Sequence, residues 1–239
     1  MYYEYNDIKI FIDKINRGKS KNIIILPGWG ECSNTFNNII NFFTNYNIYI
    51  INYPGFAKSP IPNKDLTIYD YEEIIYNFIL DKNINNIYII SHSFGGRIAS
   101  ILIGKDKLRV NKLVLIDTAG LRDKKIIFKN IIYKIKKRLC INKNKLFNKY
   151  ASIDYKNLNS VSYKTFINIV NEDLKKYYKK INVDTLIIWG INDDITPIKD
   201  GERLNKLIKN SALIKYRGSH FTYLEYPDNI NKVINAYFN

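Results

Sequence analysis

The feature that most constrains this chain is a short β-branched run that keeps returning. It appears as Asn22–Leu26 (NIIIL), Ile48–Asn52 (IYIIN), Ile87–Ser91 (IYIIS), Lys112–Asp117 (KLVLID) and Thr185–Gly190 (TLIIWG). Strands this continuously apolar fit burial on both faces. Helical patterns lie between them over Thr35–Phe43, Thr67–Leu80 and Phe94–Ile103, and a last one closes the chain over Asp228–Phe238. Strand and helix in alternation predict an α/β protein with a mostly parallel sheet flanked by helices. Ala212–Tyr216 reads as a final strand and Lys9–Ile12 as part of an antiparallel edge. Thr67 is the expected cap of its helix, with acids in the first turn.

One stretch breaks the rhythm. Residues 121–183 are too long for a simple crossover and read as helices, which predicts a core of 1–120 and 184–239 carrying a helical cap insertion. On Ile126–Leu139 the residues Ile127, Ile131, Ile135 and Leu139 recur at spacings of four among Lys129, Lys134, Lys136, Lys137 and Arg138. The net charge of +15 is concentrated here: residues 121–182 hold 17 Lys and Arg against 4 Asp and Glu, or +13. Peripheral contact with an anionic membrane through such a helix is conceivable, but an apolar face covering a site beneath the cap is the favoured reading. No nucleic-acid reading motif accompanies the charge. The bulk of the excess is what a composition rich in Asn, Ile, Lys and Tyr leaves on solvated faces.

Composition excludes several classes. At 239 residues with 46% hydrophobic content the chain can bury a sizeable core. The opening MYYEYNDIKIFID has no long apolar core, and no run approaches the roughly 20 residues of a membrane span, so a cytoplasmic protein is expected. Cys32 and Cys140 stand far apart, and with only two histidines neither a metal centre nor a disulfide framework is expected. No cofactor is called for.

Four motifs follow strand ends. Ser91-His92-Ser93-Phe94-Gly95-Gly96 puts a serine on a strand-to-helix turn, where its hydroxyl is presented above the sheet and small neighbours are needed. Ser91 stands where glycine is usual in G-x-S-x-G. Leu26-Pro27-Gly28-Trp29-Gly30 is a loop able to aim the Trp29 N–H at a developing oxyanion, paired with that of Phe94. Trp189-Gly190-Ile191-Asn192-Asp193-Asp194 supplies a carboxylate; Asp193 is favoured by the W-G-x-x-D-x-x-x-P spacing, with Asp194 as runner-up. Gly218-Ser219-His220-Phe221 supplies a histidine, and His92, beside the serine with its side chain directed away, leaves His220 as the base. The order Ser93, Asp193, His220 suits nucleophilic acyl transfer on such a sheet.

With these residues the chain resembles the α/β-hydrolase superfamily over essentially its full length, and within it the small bacterial serine hydrolases with a helical cap. Tyr53-Pro54-Gly55-Phe56-Ala57-Lys58-Ser59 is similar to their D-x-P-G-x-G-x-S loop, with departures at Asn52 and Ala57. His220-Phe221-x-x-Leu224-Glu225-x-Pro227 is similar to the region of their catalytic histidine. Relatives usually have His where Pro27 stands. The resemblance implies an eight-stranded mostly parallel sheet and a triad without cofactor, acting on a small-molecule substrate. An ester of a small or medium acyl group is the first expectation; carbon–carbon or amide hydrolysis, and a non-catalytic binding member of the fold, are the alternatives. Haloalkane and epoxide chemistry is disfavoured, since those enzymes carry aspartate where Ser93 stands. Glu172 and Asp173 are a candidate site for a substrate amine, though a solvated helix face accounts for them as well.

Overall fold

A computed structural model describes residues 1–121 and 160–239. Eight strands form one sheet: β1 (Tyr2–Tyr5), β2 (Ile8–Ile15), β3 (Asn22–Leu26), β4 (Asn47–Asn52), β5 (Ile87–His92), β6 (Lys112–Ile116), β7 (Thr185–Gly190) and β8 (Ser211–Tyr216). Their order across the sheet is β1-β2-β4-β3-β5-β6-β7-β8. The pairs β1–β2 and β2–β4 are antiparallel, and every other pair is parallel.

The isoleucine runs behave as their composition requires. β3, β4, β5 and β7 are buried at every residue, because successive side chains feed two cores on opposite faces. Ile24, Leu26 and Ile89 pack on one face, while Ile23, Ile25 and Ile90 pack on the other. The helices are α1 (Asn37–Phe42), α2 (Ile68–Asp81), α3 (Phe94–Gly104), α4 (Ser160–Asn171), α5 (Lys175–Tyr178), α6 (Ile198–Leu207), α7 (Thr222–Glu225) and α8 (Pro227–Phe238). Ile74, Ile75 and Phe78 of α2 cover the first face with α3; Ile39 of α1 and Ile230, Ile234 and Phe238 of α8 cover the second. Thr67 caps α2 as expected, its hydroxyl and the Asp70 carboxylate each accepting from the other's backbone N–H.

Three expectations needed adjustment. The edge is a two-strand hairpin, with Lys9–Ile12 inside the longer β2 and Tyr2–Tyr5 outermost. β1 shows only one fully buried side chain among four, so its sequence carries little apolar signal. Thr35–Phe43 divides into a 3-10 turn, Ser33–Phe36, and the short α1. The final helix is preceded by the separate turn α7, and Pro227 opens α8 at a position where its missing N–H costs nothing.

The helix expected over Ile126–Leu139 lies outside the described residues. The part of the 121–183 segment that is described rests firmly on the core. Arg97, on α3 and nearly buried, donates from Nη1 to the carbonyls of Ile169 and Glu172, 2.9 and 3.1 Å away. A guanidinium at the C-terminal end of α4 adds a donor to the Ile169 carbonyl, which also accepts from Glu172 N–H, and takes up the Glu172 carbonyl just beyond the helix. Leu66 N–H donates to Thr165 Oγ1, 2.9 Å away, and no described helix is long and apolar enough to cross a membrane.

Candidate active site

Parallel strands deliver their C-terminal ends to a single rim, and four of them end at motif residues. Ser93 lies between β5 and α3 with φ 44° and ψ −106°. A non-glycine residue held there stores strain of about 1–3 kcal/mol. Three backbone bonds impose it: Ser93 N–H donates to Ile116, and the N–H groups of Gly96 and Ala119 donate to the Ser93 carbonyl. The following helix passes so close to β3 that a Cβ on Gly95 would sit 1.9 Å from the Leu26 carbonyl oxygen, and one on Gly96 would strike Thr118. Ser91 is fully buried and its hydroxyl donates to the Val114 carbonyl at 3.1 Å. That bond is why serine is accommodated where glycine is usual.

His220 brings the other two residues together. Its Nε2 is 2.9 Å from Ser93 Oγ and its Nδ1 is 2.8 Å from Asp193 Oδ2. With Nδ1–H donating to the carboxylate, Nε2 is left with a lone pair to accept the serine proton. Asp193 is held in turn: its Oδ1 accepts from the N–H groups of Ile195 and Thr196, and Oδ2 accepts from Thr196 Oγ1 at 2.7 Å. Burial pushes the Asp193 pKa upward, but the neighbouring His220 and the Thr196 donors outweigh it and leave the carboxyl below its ordinary value. Asp194 lies outside this set and is exposed. Trp189 Nε1–H, donating to the Thr196 carbonyl at 2.9 Å, pins the loop to β7.

On the other side of Ser93, the residues expected to form an oxyanion hole, Trp29 and Phe94, meet ring edge to ring face at 5.2 Å. Phe94 opens α3, where a backbone N–H has no intrahelical acceptor. Gly30 adopts φ 78°, a turn conformation that glycine tolerates. Phe166 of α4 reaches down to the Trp29 ring, 5.3 Å between centroids, so α4 packs on the loop that follows β3.

Two buried carboxylates were not singled out by the motifs. Asp117 follows β6 and is completely buried. Its oxygens accept from Gly190 N–H at 2.8 Å and from the Thr222 N–H and hydroxyl, tying the acid strand to the segment after His220. Burial raises its pKa to about 6, with the Asp193 charge adding to that effect and His220, His92 and Thr222 opposing it. Glu31 follows Gly30, and its Oε1 lies 2.8 Å from Nδ1 of His92. Neither had a sequence signal beyond an acid beside a glycine-rich or strand-end motif. Glu172 and Asp173 have structural partners: Glu172 accepts from the Tyr69 hydroxyl at 2.7 Å, and Asp173 accepts from Lys175 N–H.

The model of the alpha/beta hydrolase fold family matches residues 21–138. The pimeloyl-(acyl-carrier protein) methyl ester esterase of Wigglesworthia glossinidia brevipalpis is 27% identical, covering 95% of this chain and 97% of its own. The 2-hydroxy-6-oxononadienedioate/2-hydroxy-6-oxononatrienedioate hydrolase 1 of Pseudomonas putida is 24% identical, covering 95% and 91%. A solved hydrolase from Pseudomonas aeruginosa PA01 superposes with a TM-score of 0.87 at 14% identity, covering 100% of this chain and 98% of that one. The chain has the α/β-hydrolase fold, and the family match together with the relatives supports a hydrolase.

Proposed function

We propose that the chain is a serine esterase that works through an acyl-enzyme on Ser93, with His220 as base and Asp193 as its orienting acid. The observation that carries this reading is the unbroken hydrogen-bonded line Ser93 Oγ–His220 Nε2 at 2.9 Å and His220 Nδ1–Asp193 Oδ2 at 2.8 Å, ending on a serine in a strained turn.

As Ser93 Oγ bonds to the acyl carbon, its proton passes to His220 Nε2 and the carbonyl π pair moves onto oxygen. The backbone N–H groups of Trp29 and Phe94 receive that charge; one such donor contributes about 3–4 kcal/mol to a transition state. Asp193 stabilises the imidazolium that forms. Collapse expels the alcohol oxygen, which takes the proton from His220. Water then attacks the acyl carbon, gives its proton to His220, and the acid leaves as Ser93 recovers its hydrogen.

The esterase among the relatives supports an ester as substrate. The dienedioate hydrolase supports a second use of the same triad, cleavage of a carbon–carbon bond. Ser93→Ala should abolish hydrolysis of p-nitrophenyl butyrate, and a fluorophosphonate should label the wild-type protein at Ser93. Undiminished hydrolysis by the variant would refute the assignment. An unlabelled wild-type serine would favour a binding protein on this fold.

A further inference from the structure

The chain has two histidines, and the proposed triad uses one. His92 is no idle neighbour of the nucleophile. Its ring is 1% exposed, and Nε2 lies 2.7 Å from the backbone carbonyl oxygen of His220. A carbonyl can only accept, so Nε2 carries a hydrogen. The opposite nitrogen, Nδ1, lies 2.8 Å from Glu31 Oε1. Glu31 accepts from the Gly28 N–H and the Tyr223 hydroxyl as an ionised carboxylate does, and a bare lone pair on Nδ1 facing it would be repelled, so Nδ1 carries a hydrogen too, in an ion-pair contact rather than an aligned hydrogen bond. Glu31 is itself engaged on three sides: Oε2 accepts from Gly28 N–H at 2.5 Å, and Oε1 also accepts from the Tyr223 hydroxyl at 3.1 Å. Space tells the same story, because a Cβ on Gly28 would sit 2.8 Å from His92 Nδ1 and 3.0 Å from the Glu31 carboxyl.

We infer that His92 and Glu31 are a buried ion pair, charged at neutral pH, that positions both halves of the active site, Glu31 through the Gly28 N–H of the oxyanion loop and His92 through the His220 carbonyl of the base loop. These are positioning residues, since neither ring nor carboxylate is free to touch substrate. The strut runs from the residue before Trp29, through the residue before Ser93, to the backbone of the base itself. The coulombic balance agrees: burial alone would lower the His92 pKa, yet Glu31 chiefly, with Asp117 and the His220 carbonyl, raises it to about 9. The pair is also neutral as a unit, so it adds no net charge beside His220 as the imidazolium forms.

The inference rests on the triad reading, and two measurements keep them apart. With only two histidines, a 15N-histidine spectrum of the wild-type protein resolves both rings. One ring should remain doubly protonated at about pH 8, well above an ordinary histidine; two rings that both titrate near pH 6.5 would overturn the ion pair whatever the protein catalyses. For positioning, Glu31→Gln and His92→Gln should each lower kcat on p-nitrophenyl butyrate about 10- to 100-fold, with KM moving less than about threefold. The double variant should be no slower than the slower single, as for a unit that acts together. Values of kcat within about twofold of wild type, or losses that multiply in the double, would overturn the role. If a single variant does not fold, the double, which buries no charge, decides by the same kcat criterion. Fluorophosphonate labelling of wild-type Ser93 reports on the triad alone.

Discussion

Two buried carboxylate–histidine pairs share one rim of this sheet, with the same 2.8 Å separation between Nδ1 and oxygen. They differ in the atom that faces Nε2. At His220 it is the Ser93 hydroxyl, which has a proton to give. At His92 it is a backbone carbonyl, which has no proton to give, so the ring is held as a cation and becomes a strut. The pairing with an acid thus does not decide whether a histidine works as a base; the third partner does.

The largest effects should separate the two pairs. Asp193→Asn should lower kcat about 10⁴-fold by favouring the wrong His220 tautomer, whereas Asp194→Asn should leave hydrolysis unchanged; steady-state kinetics of both variants tests the choice between these adjacent acids. Equal losses from the two would mean that Asp193 is not the acid that orients His220.

A smaller effect should appear in stability. The His92 proton is bound by both folded and unfolded chains below about pH 6.5, where its contribution is complete. Between about 6.5 and 9 only the folded state keeps it, so stability should fall as pH rises, and above about 9 the contribution is gone. Asp117, with its raised value of about 6, loses its contribution at lower pH, between about 4 and 6. Urea melts from pH 6.5 to 9 should therefore slope downward in the wild type and less steeply in His92→Gln. The smallest effect concerns the turn that both pairs flank: Ser93→Gly should raise stability by about 1 kcal/mol through relief of the positive φ, read from the urea midpoint of an inactive protein.

Much of this was legible in the sequence because it rests on local signals. Isoleucine runs buried on both faces announced β3 to β7, and the strand-end positions of Ser93, Asp193 and His220 picked out the three residues that the structure brings within hydrogen-bond distance. Glu31 was not legible. It sits 61 residues from His92 in a loop without periodicity, and only the parallel pairing of β3 with β5 brings the two together. Asp117 was read simply as the last residue of its strand, since an acid after an apolar run does not announce what it will accept from. β1 escaped because an edge strand needs one apolar face at most.

Arg97 bears on how such an enzyme could be rebuilt. It sits one turn beyond the nucleophile and grips the carbonyls of Ile169 and Glu172. A chimera that borrows its lid from a relative would therefore do best to rejoin this sequence before Ser160. The segment from there to Glu172 is held by the helix that follows Ser93, and a splice placed later would sever that grip.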